Sequence, residues 1–495
     1  MRGIHGHSLV AGAVFLAGLA GAPALAAEPA DATRLGSPQP VMVHLFEWRW
    51  DDIAAECEDY LGPTGIDAVQ VSPPNEHIVP GGVEGAWWAR YQPVSYEVTS
   101  RSGDREAFEA MVRRCDAAGV GIVVDAVINH MAAIGEGEGI AGTSYSEFRY
   151  GDLYSRDDFN HCDRYDDDHI RDYQSRYEVQ YCHLLGLADL ATGETHVRAR
   201  IADYLQTLVD LGVAGFRIDA AKHMPAEDVA AIIDRLDGEP YIFQEVIDPG
   251  DEPITKWEYQ GIAAVTEFNY PHEVATAIEE GAWDRLKHVG EGDAWLKSDS
   301  ALVFVDNHDN QRGHVGGGVL MHRDAAYPLA LAFKLAWPYG TPKLMSSFAF
   351  EDGDQGPPSD PDAGWATTPV HGDDGIGCLD PDDDPNEGWV CEHRWSEVTA
   401  MVGFRKAAGD APVTHWQQDG ATRIAFSRDD AGFLAINGGD DEWDARLQTG
   451  LPEGAYCNVL AADCDTPVHV GGDGVAEVAV RGMDAVALQV NRTAE

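Results

Sequence analysis

Gly215-Phe216-Arg217-Ile218-Asp219-Ala220-Ala221-Lys222-His223 begins as a short apolar run and breaks into charge. Arg217 and Asp219 stand two residues apart, so on an extended strand they share a face. A helical pattern from Glu194 to Leu211 leads into a run that starts at Val213, and another from Ala226 to Leu236 leads on to the apolar stretch Tyr241 to Gln244. Strand, helix, strand in that order is a parallel βαβ unit. The same rhythm extends in both directions. Upstream lie Val41 to Phe46, Ala68 to Val71 and Gly121 to Val127, with a helical pattern from Glu106 to Ala118; downstream lie Ala264 to Phe268, Leu302 to Val305 and Lys343 to Met345. Eight such strands predict an α/β fold, a (β/α)8 TIM barrel whose active site lies at the carboxyl ends of the strands. The rival is a doubly wound sheet, but no Gly-rich phosphate fingerprint follows the first strand.

Two departures from the rhythm divide the chain. The third strand ends near Val127 and the next helix starts only near Thr195, with Gly, Asp, Tyr and His between them. This stretch, 128–189, reads as an inserted domain B on the catalytic face, splitting the barrel into 28–127 and 190–407. From 408 to 495 the pattern becomes alternating: Thr422 to Ser427, Gly432 to Ile436, Ala455 to Leu460 and Val475 to Val480, with Asp429-Asp430-Ala431-Gly432 as a hairpin turn. An all-β C-terminal sandwich is expected there, and the acidic stretch Glu351 to Asn386 reads as a solvated loop. At the start, Arg2, the apolar run Leu9 to Leu19 and Ala24-Leu25-Ala26 form a signal peptide over 1–27, too short in its apolar part to span a bilayer; a short N-terminal anchor is the alternative. A secreted protein is expected.

Composition excludes several classes. Among 495 residues, 34 Lys and Arg face 84 Asp and Glu, a formal charge of −50. Such a surface repels phosphate backbones and anionic lipid, so neither nucleic acid nor membrane is an expected partner. Scarce lysine and abundant acid fit a salty medium, and equally a high-GC type of composition. Eight cysteines, an even number in an exported chain, point to disulfides. Sequence neighbours suggest Cys162 with Cys182, Cys378 with Cys391 and Cys457 with Cys464, leaving Cys57 with Cys115. No C-x-x-C pair supports a cysteine zinc site.

Three strand ends carry acids. Arg217 beside Asp219 would favour an ionised carboxylate, a potential nucleophile; a structural ion pair is the other reading. The next strand delivers Phe243-Gln244-Glu245-Val246, where apolar chain neighbours suit a general acid. Two strands later comes Phe304-Val305-Asp306-Asn307-His308-Asp309-Asn310, too polar for a buried strand end unless something binds there. A nucleophile with an acid partner is the double-displacement arrangement of a retaining glycosidase. Trp87, Trp88 and Tyr91 follow the second strand, and their ring faces could stack on sugars; on a strand the two tryptophans would point to opposite sides.

These residues carry a resemblance. Asp125-Ala126-Val127-Ile128-Asn129-His130, Gly215 to His223, Phe243 to Val246 and Phe304 to Asp309, in that order, resemble the four motifs of the alpha-amylases of glycoside hydrolase family 13. The animal-type, chloride-dependent branch is resembled further by Glu47-Trp48-Arg49-Trp50, Trp87-Trp88-Ala89-Arg90-Tyr91-Gln92-Pro93, Cys391-Glu392-His393-Arg394-Trp395 and Leu447-Gln448-Thr449-Gly450-Leu451-Pro452. The cysteine pairing above agrees with that branch. The resemblance implies Asp219 as nucleophile, Glu245 as acid/base and Asp309 as the group that stabilises the distorted sugar. It also implies a substrate-binding set of Trp87, Trp88, Tyr91, Gln92, His130, Arg217, Lys222, His223 and His308.

Two ions are implied by the same resemblance. Calcium would be held by Asn129, Asp189, the backbone oxygen of His223 and a backbone oxygen near Gln180, where the family often has Arg; Asp189 could instead cap a helix. Chloride would be held by Arg217, Asn307 and Lys343, the last replacing the Arg of many relatives and so weakening the site. The implied function is a secreted, monomeric, retaining endo-acting alpha-amylase that hydrolyses α-1,4 links in starch and related glucans. The alternatives are an exo-acting maltooligosaccharide-forming amylase or a transglycosylase of the same family, and a non-catalytic glucan-binding relative.

Overall fold

The short apolar runs pair side by side because each is buried on both faces, which only a sheet wrapped in helices allows. A computed structural model describes residues 40–81, 85–314, 319–372, 375–379 and 388–494; the expected signal peptide lies outside them. The barrel strands are β1 (Met42–Leu45), β2 (Ala68–Val71), β3 (Gly121–Ala126), β4 (Gly215–Ile218), β5 (Tyr241–Gln244), β6 (Ala264–Thr266), β7 (Ala301–Val303) and β8 (Thr341–Ser346). Each is hydrogen-bonded to the next, and β8 closes on β1 with Met42 opposite Lys343. Helices such as Arg105–Ala117, Thr195–Asp210, Ala226–Ile233 and Asn269–Glu279 lie between the strands. Asp104 caps the first of these, its carboxylate accepting from the Ala107 N–H at 2.9 Å.

Inside the barrel the period of two sorts side chains into layers. Met42, Ala68, Val123, Phe243, Leu302 and Phe304 form a separate apolar cluster that floors the interior. Two residues further along β1 to β4 stand His44, Gln70, Asp125 and Arg217, with His44 opposite Gln70 and Arg217 opposite Asp125. The next step along β4 is Asp219. The charged layer is therefore a consequence of register.

Between β3 and the helix Thr195–Asp210 the chain builds the small pairs His130–Ala133 with Leu187–Asp189, and Glu136–Glu138 with Ser144–Ser146 and Arg149–Tyr150. Cys162–Cys182 closes a loop here; Cys57–Cys115, Cys378–Cys391 and Cys457–Cys464 are the other disulfides. The C-terminal strands form two four-stranded antiparallel sheets, Val413–Asp419, Arg423–Arg428, Gly432–Asn437 and Asp484–Gln489 against Trp443–Gln448, Val475–Val480, Val468–Val470 and Gly454–Tyr456. Asp429, at a φ of 46°, makes the turn in which Arg428 pairs with Gly432.

Several local expectations are corrected. Ala455 to Leu460 holds a strand only as far as Tyr456, because Asn458 turns its side chain back to accept from the Leu460 and Ala487 N–H groups. The tryptophans sit in a 3-10 turn, Trp87–Tyr91, and not on a strand. Asp189 ends a strand and caps no helix, since the following helix starts at Thr195.

Candidate active site

β4 and β5 end side by side, so the side chains of Arg217, Asp219 and Glu245 meet at the barrel mouth. Arg217 is 2% exposed and spends its guanidinium on three acids. One terminal nitrogen donates to Asp125 at 2.6 Å and to Asp219 at 2.8 Å; the other donates to Glu245 Oε1 at 2.5 Å. The second Glu245 oxygen accepts from the Ala220 N–H at 2.9 Å. Ala220 holds that N–H in place by adopting a left-handed φ of 48°, an uncommon state for a residue with a Cβ. Chain neighbours thus misdescribe Glu245: apolar along the sequence, it faces a cation across the strand.

Asp309 joins from the loop after β7, where its N–H donates to Asn307 Oδ1 at 3.1 Å and its carboxylate lies 3.4 Å from His308 Nε2. Asp125, Asp219 and Glu245 share the guanidinium, and Asp309 joins the same electrostatic cluster with Lys343 and Arg312. Burial pushes Asp219 well above the usual carboxylate range, outweighing Arg217, with Glu245 and Asp125 adding to the rise. Arg217 acts against that rise, in the direction its place beside Asp219 implies. Burial, and then the charge of Glu245, push Asp309 up to about 7. Carboxyls crowded into one dry site do not all ionise together, so one can carry the proton that general acid chemistry requires while a neighbour stays ionised.

The remaining expected residues surround this cluster. Tyr91 stacks on His308 with ring centroids 5.2 Å apart and donates its hydroxyl to Asp125 at 3.0 Å. Trp87 is buried and donates to the Gly353 carbonyl at 2.8 Å, while Trp88 is half-buried. Gln92 Oε1 accepts from the Ala133 N–H at 3.1 Å, tying the inserted segment to the mouth. His130 Nε2 lies 2.9 Å from the Tyr91 carbonyl. His308 Nδ1 is buried without a hydrogen-bond partner among the described residues. Lys222 pairs with Glu252 and donates to the Ile247 carbonyl at 2.7 Å. The polarity of the stretch after β7 is partly internal, because Asp306 accepts from Tyr327 and Gln311 at 2.8 and 2.6 Å.

Two ion environments can be judged from their donors. Asp189 is buried, makes no ion pair among the described residues, and accepts only amide donors, Asn129 at 3.3 Å and Asn160 at 2.8 Å. Burial pushes its pKa well up. Asn129 Oδ1 beside it is buried without a partner among the described residues. A buried carboxylate and an orphaned amide oxygen suit a hard, oxygen-seeking cation. His223 approaches with its ring nitrogen 2.9 Å from the Val179 carbonyl, and the Gln180 side chain is 3.4 Å from the Tyr259 hydroxyl. Lys343 is the converse case. It is 2% exposed, lies between Phe243 and Phe304, donates to Gln70 Oε1 at 3.0 Å and forms no ion pair among the described residues. Burial, then Arg217, bring its pKa down to about 7. Asn307 spends its Oδ1 on the Asp309 and Asn310 N–H groups, leaving its amide N–H groups for an acceptor. A buried cation with no acid paired to it among the described residues suits an anion, and the free Asn307 amide offers a donor for one.

Sequence reasoning overlooked Asp125 as the third partner of Arg217, and His44 and Gln70 as its supports. The signal was there: a polar residue at the third place of a four-residue strand buried at every position, in both β1 and β2. Asn160 at the cation environment and Arg312, stacked over Phe350 at 4.1 Å, carried no such signal.

A (β/α)8 barrel with clustered carboxylates at its mouth and an all-β C-terminal domain defines a glycoside hydrolase. The model of the alpha amylase catalytic domain matches residues 55–291, and that of the alpha amylase C-terminal all-beta domain matches 414–491. An alpha-amylase of Tribolium castaneum is 44% identical over 474 residues, 91% of this chain and 94% of its own. Human alpha-amylase 1B is 43% identical over 478 residues, 89% and 91% of the two chains. Alpha-amylase I from Eisenia fetida superposes with a TM-score of 0.86 at 38% identity over 92% of this chain and 98% of its own, and a mutant of it was solved with maltohexaose. The chain belongs to the alpha-amylase family, in its animal-type branch.

Proposed function

We propose that this enzyme cleaves α-1,4-glucosidic links inside starch and related glucans by double displacement, with retention. The observation that carries the reading is the sharing of Arg217: its two terminal nitrogens hold Asp219 and Glu245 against one another on adjacent strands. Two carboxyls bridged by one guanidinium can reach the same anomeric carbon and its leaving oxygen, as double displacement requires. Asp219 attacks the anomeric carbon as Glu245 gives its proton to the departing glucosyl oxygen. Glu245 then takes a proton from the water that releases the sugar from Asp219. Asp309, with His308 and His130, orients the ring through its hydroxyls, and Trp88 and Tyr91 offer stacking faces. The maltohexaose bound by the Eisenia fetida mutant supports a cleft of several sugar units. The presence of all three acids counts against a non-catalytic relative.

Calcium, held by Asn129, Asp189 and the backbone oxygens of His223 and Gln180, would fasten the inserted domain to the barrel. Chloride, held by Arg217, Asn307 and Lys343, would offset the two cations beside Glu245. The four disulfides support export, and no described helix is long and apolar enough to cross a membrane. A product time course on soluble starch tests the reading. Mixed oligosaccharides at the earliest times are expected; a single short product from the outset would mean exo action, and enlarged glucans would mean transglycosylation.

A further inference from the structure

The disulfide Cys162–Cys182 brings together two histidines, His161 and His183, each next in sequence to one of its cysteines. Asp168 reaches the same place from a turn in which it takes a left-handed φ of 54°, fixed by the His183 N–H donating to its carbonyl at 2.8 Å. One ligand atom from each of His161, Asp168 and His183 lies within 4.8 Å of the other two.

Their second contacts set which atoms are free. His161 Nε2 faces the Arg156 carbonyl at 3.3 Å, which places its N–H there and leaves the Nδ1 lone pair 4.0 Å from the Asp168 carboxylate. His183 is 1% exposed and sits between two carbonyls, Nδ1 3.3 Å from Asp167 and Nε2 3.2 Å from Asn160. A neutral imidazole there has one N–H for two acceptors. One nitrogen of a buried imidazole is thus left with a lone pair and no donor. Among the described residues the Asp168 carboxylate accepts no hydrogen bond from an N–H or O–H group. Imidazoles that give one N–H to a backbone carbonyl and keep the other nitrogen free are oriented as metal ligands are.

We propose that His161, Asp168 and His183 bind a divalent ion of borderline softness, zinc in type, at a site distinct from the oxygen environment of Asn129 and Asp189. Two imidazoles with one carboxylate favour such an ion over calcium. The His161 side chain is 25% exposed, so the site opens to solvent and leaves room for water to complete the coordination. The ion would clamp both arms of the disulfide-closed loop. Asn160, which neighbours His161 and donates to Asp189 at 2.8 Å, passes that stiffening to the calcium-type environment.

The test is calorimetric titration of the full chain with zinc sulfate while calcium is held saturating, with metal analysis after gel filtration. One zinc per chain and a raised melting temperature are expected. His161→Gln and Asp168→Asn should each weaken binding by roughly 100-fold or more, at least what loss of an outer-shell partner costs, while starch hydrolysis with calcium stays unchanged. Equal zinc binding by wild type and both variants would overturn the proposal by placing the ion elsewhere, such as at the catalytic acids. No binding by folded wild type would also overturn it. Should a variant fail to fold, cobalt in the wild type decides: intense visible absorption from four-coordinate, imidazole-bound cobalt supports the site, and weak absorption from six-coordinate cobalt refutes it.

Discussion

Arg217 donates to Asp125, Asp219 and Glu245, and so joins the ends of β3, β4 and β5. Asp219→Asn is nearly isosteric and keeps a partner for the guanidinium, but the amide is no nucleophile. Hydrolysis should fall by roughly 10⁴-fold or more, as when other covalent nucleophiles are removed, while binding of maltooligosaccharides persists in calorimetry. NMR of the wild-type reaction should show α-anomers first; β-anomers first would rule out double displacement. Lys343 supplies a second test through its pKa of about 7. A lysine lowered this far is charged below that pH and loses its charge above it, and an anion binds only the charged form. Chloride affinity should therefore be steady at about pH 6 and fall by up to about tenfold per unit above about pH 7, the midpoint itself rising as chloride binds. Lys343→Gln should remove chloride activation without removing hydrolysis, measured against equal ionic strength of a non-binding salt. Which acids lie at the mouth was legible in the sequence, because each stands where an apolar run ends. Their sharing of one guanidinium was not, because register between strands distant in sequence decides it.

At the scale of elements, the inserted segment is tied to the barrel by Gln92 to Ala133, Arg176 to Glu258 and His223 to Val179, and is pinned across its own base by Asn129 to Asp189. Calcium at Asn129 and Asp189 would bind only the folded arrangement and so raise its stability by mass action. Chelation should lower the melting temperature and the activity together, and added calcium should restore both; unchanged melting in excess chelator would remove the site. Gly215, at the start of β4, has no room for a side chain, since an added Cβ would meet the Tyr241 carbonyl oxygen at 2.3 Å. Gly215→Ala should cost about 1–3 kcal/mol through forced separation of β4 from β5, visible as a lowered denaturation midpoint. The strands of the barrel were legible to within a residue or two, since continuous apolar runs mark them. Val413–Asp419 was not, because its residues are half-buried or exposed and carry no alternating pattern.

At the scale of the molecule, the C-terminal sandwich docks through Arg428, whose guanidinium donates at 2.7 Å to the carbonyls of Ala336, Gly409 and Ala411, beside Trp337 packed on Phe426. This joint was invisible in sequence, where Arg428 reads as the residue before a turn. The whole surface carries a charge of −50, and such self-repulsion destabilises the folded state. Raising a chloride-free salt to about 1 M, where screening acts within about 3 Å, should raise the melting temperature; a fall would show that surface ion pairs outweigh the repulsion.

The seam of the barrel, where Met42 pairs with Lys343, has a consequence for the order of assembly. Contacts between residues so far apart in the chain form late, after the intervening loops are closed. Lys343 and its bond to Gln70 belong to this seam. A chain emerging from its amino end therefore carries Asp219, Glu245 and Asp309 before the wall that completes their surroundings exists. In refolding, enzymatic turnover should return with or after the last cooperative phase and not with the first helices. Such an enzyme stays silent while it is being made, and its activity reports closure of the ring.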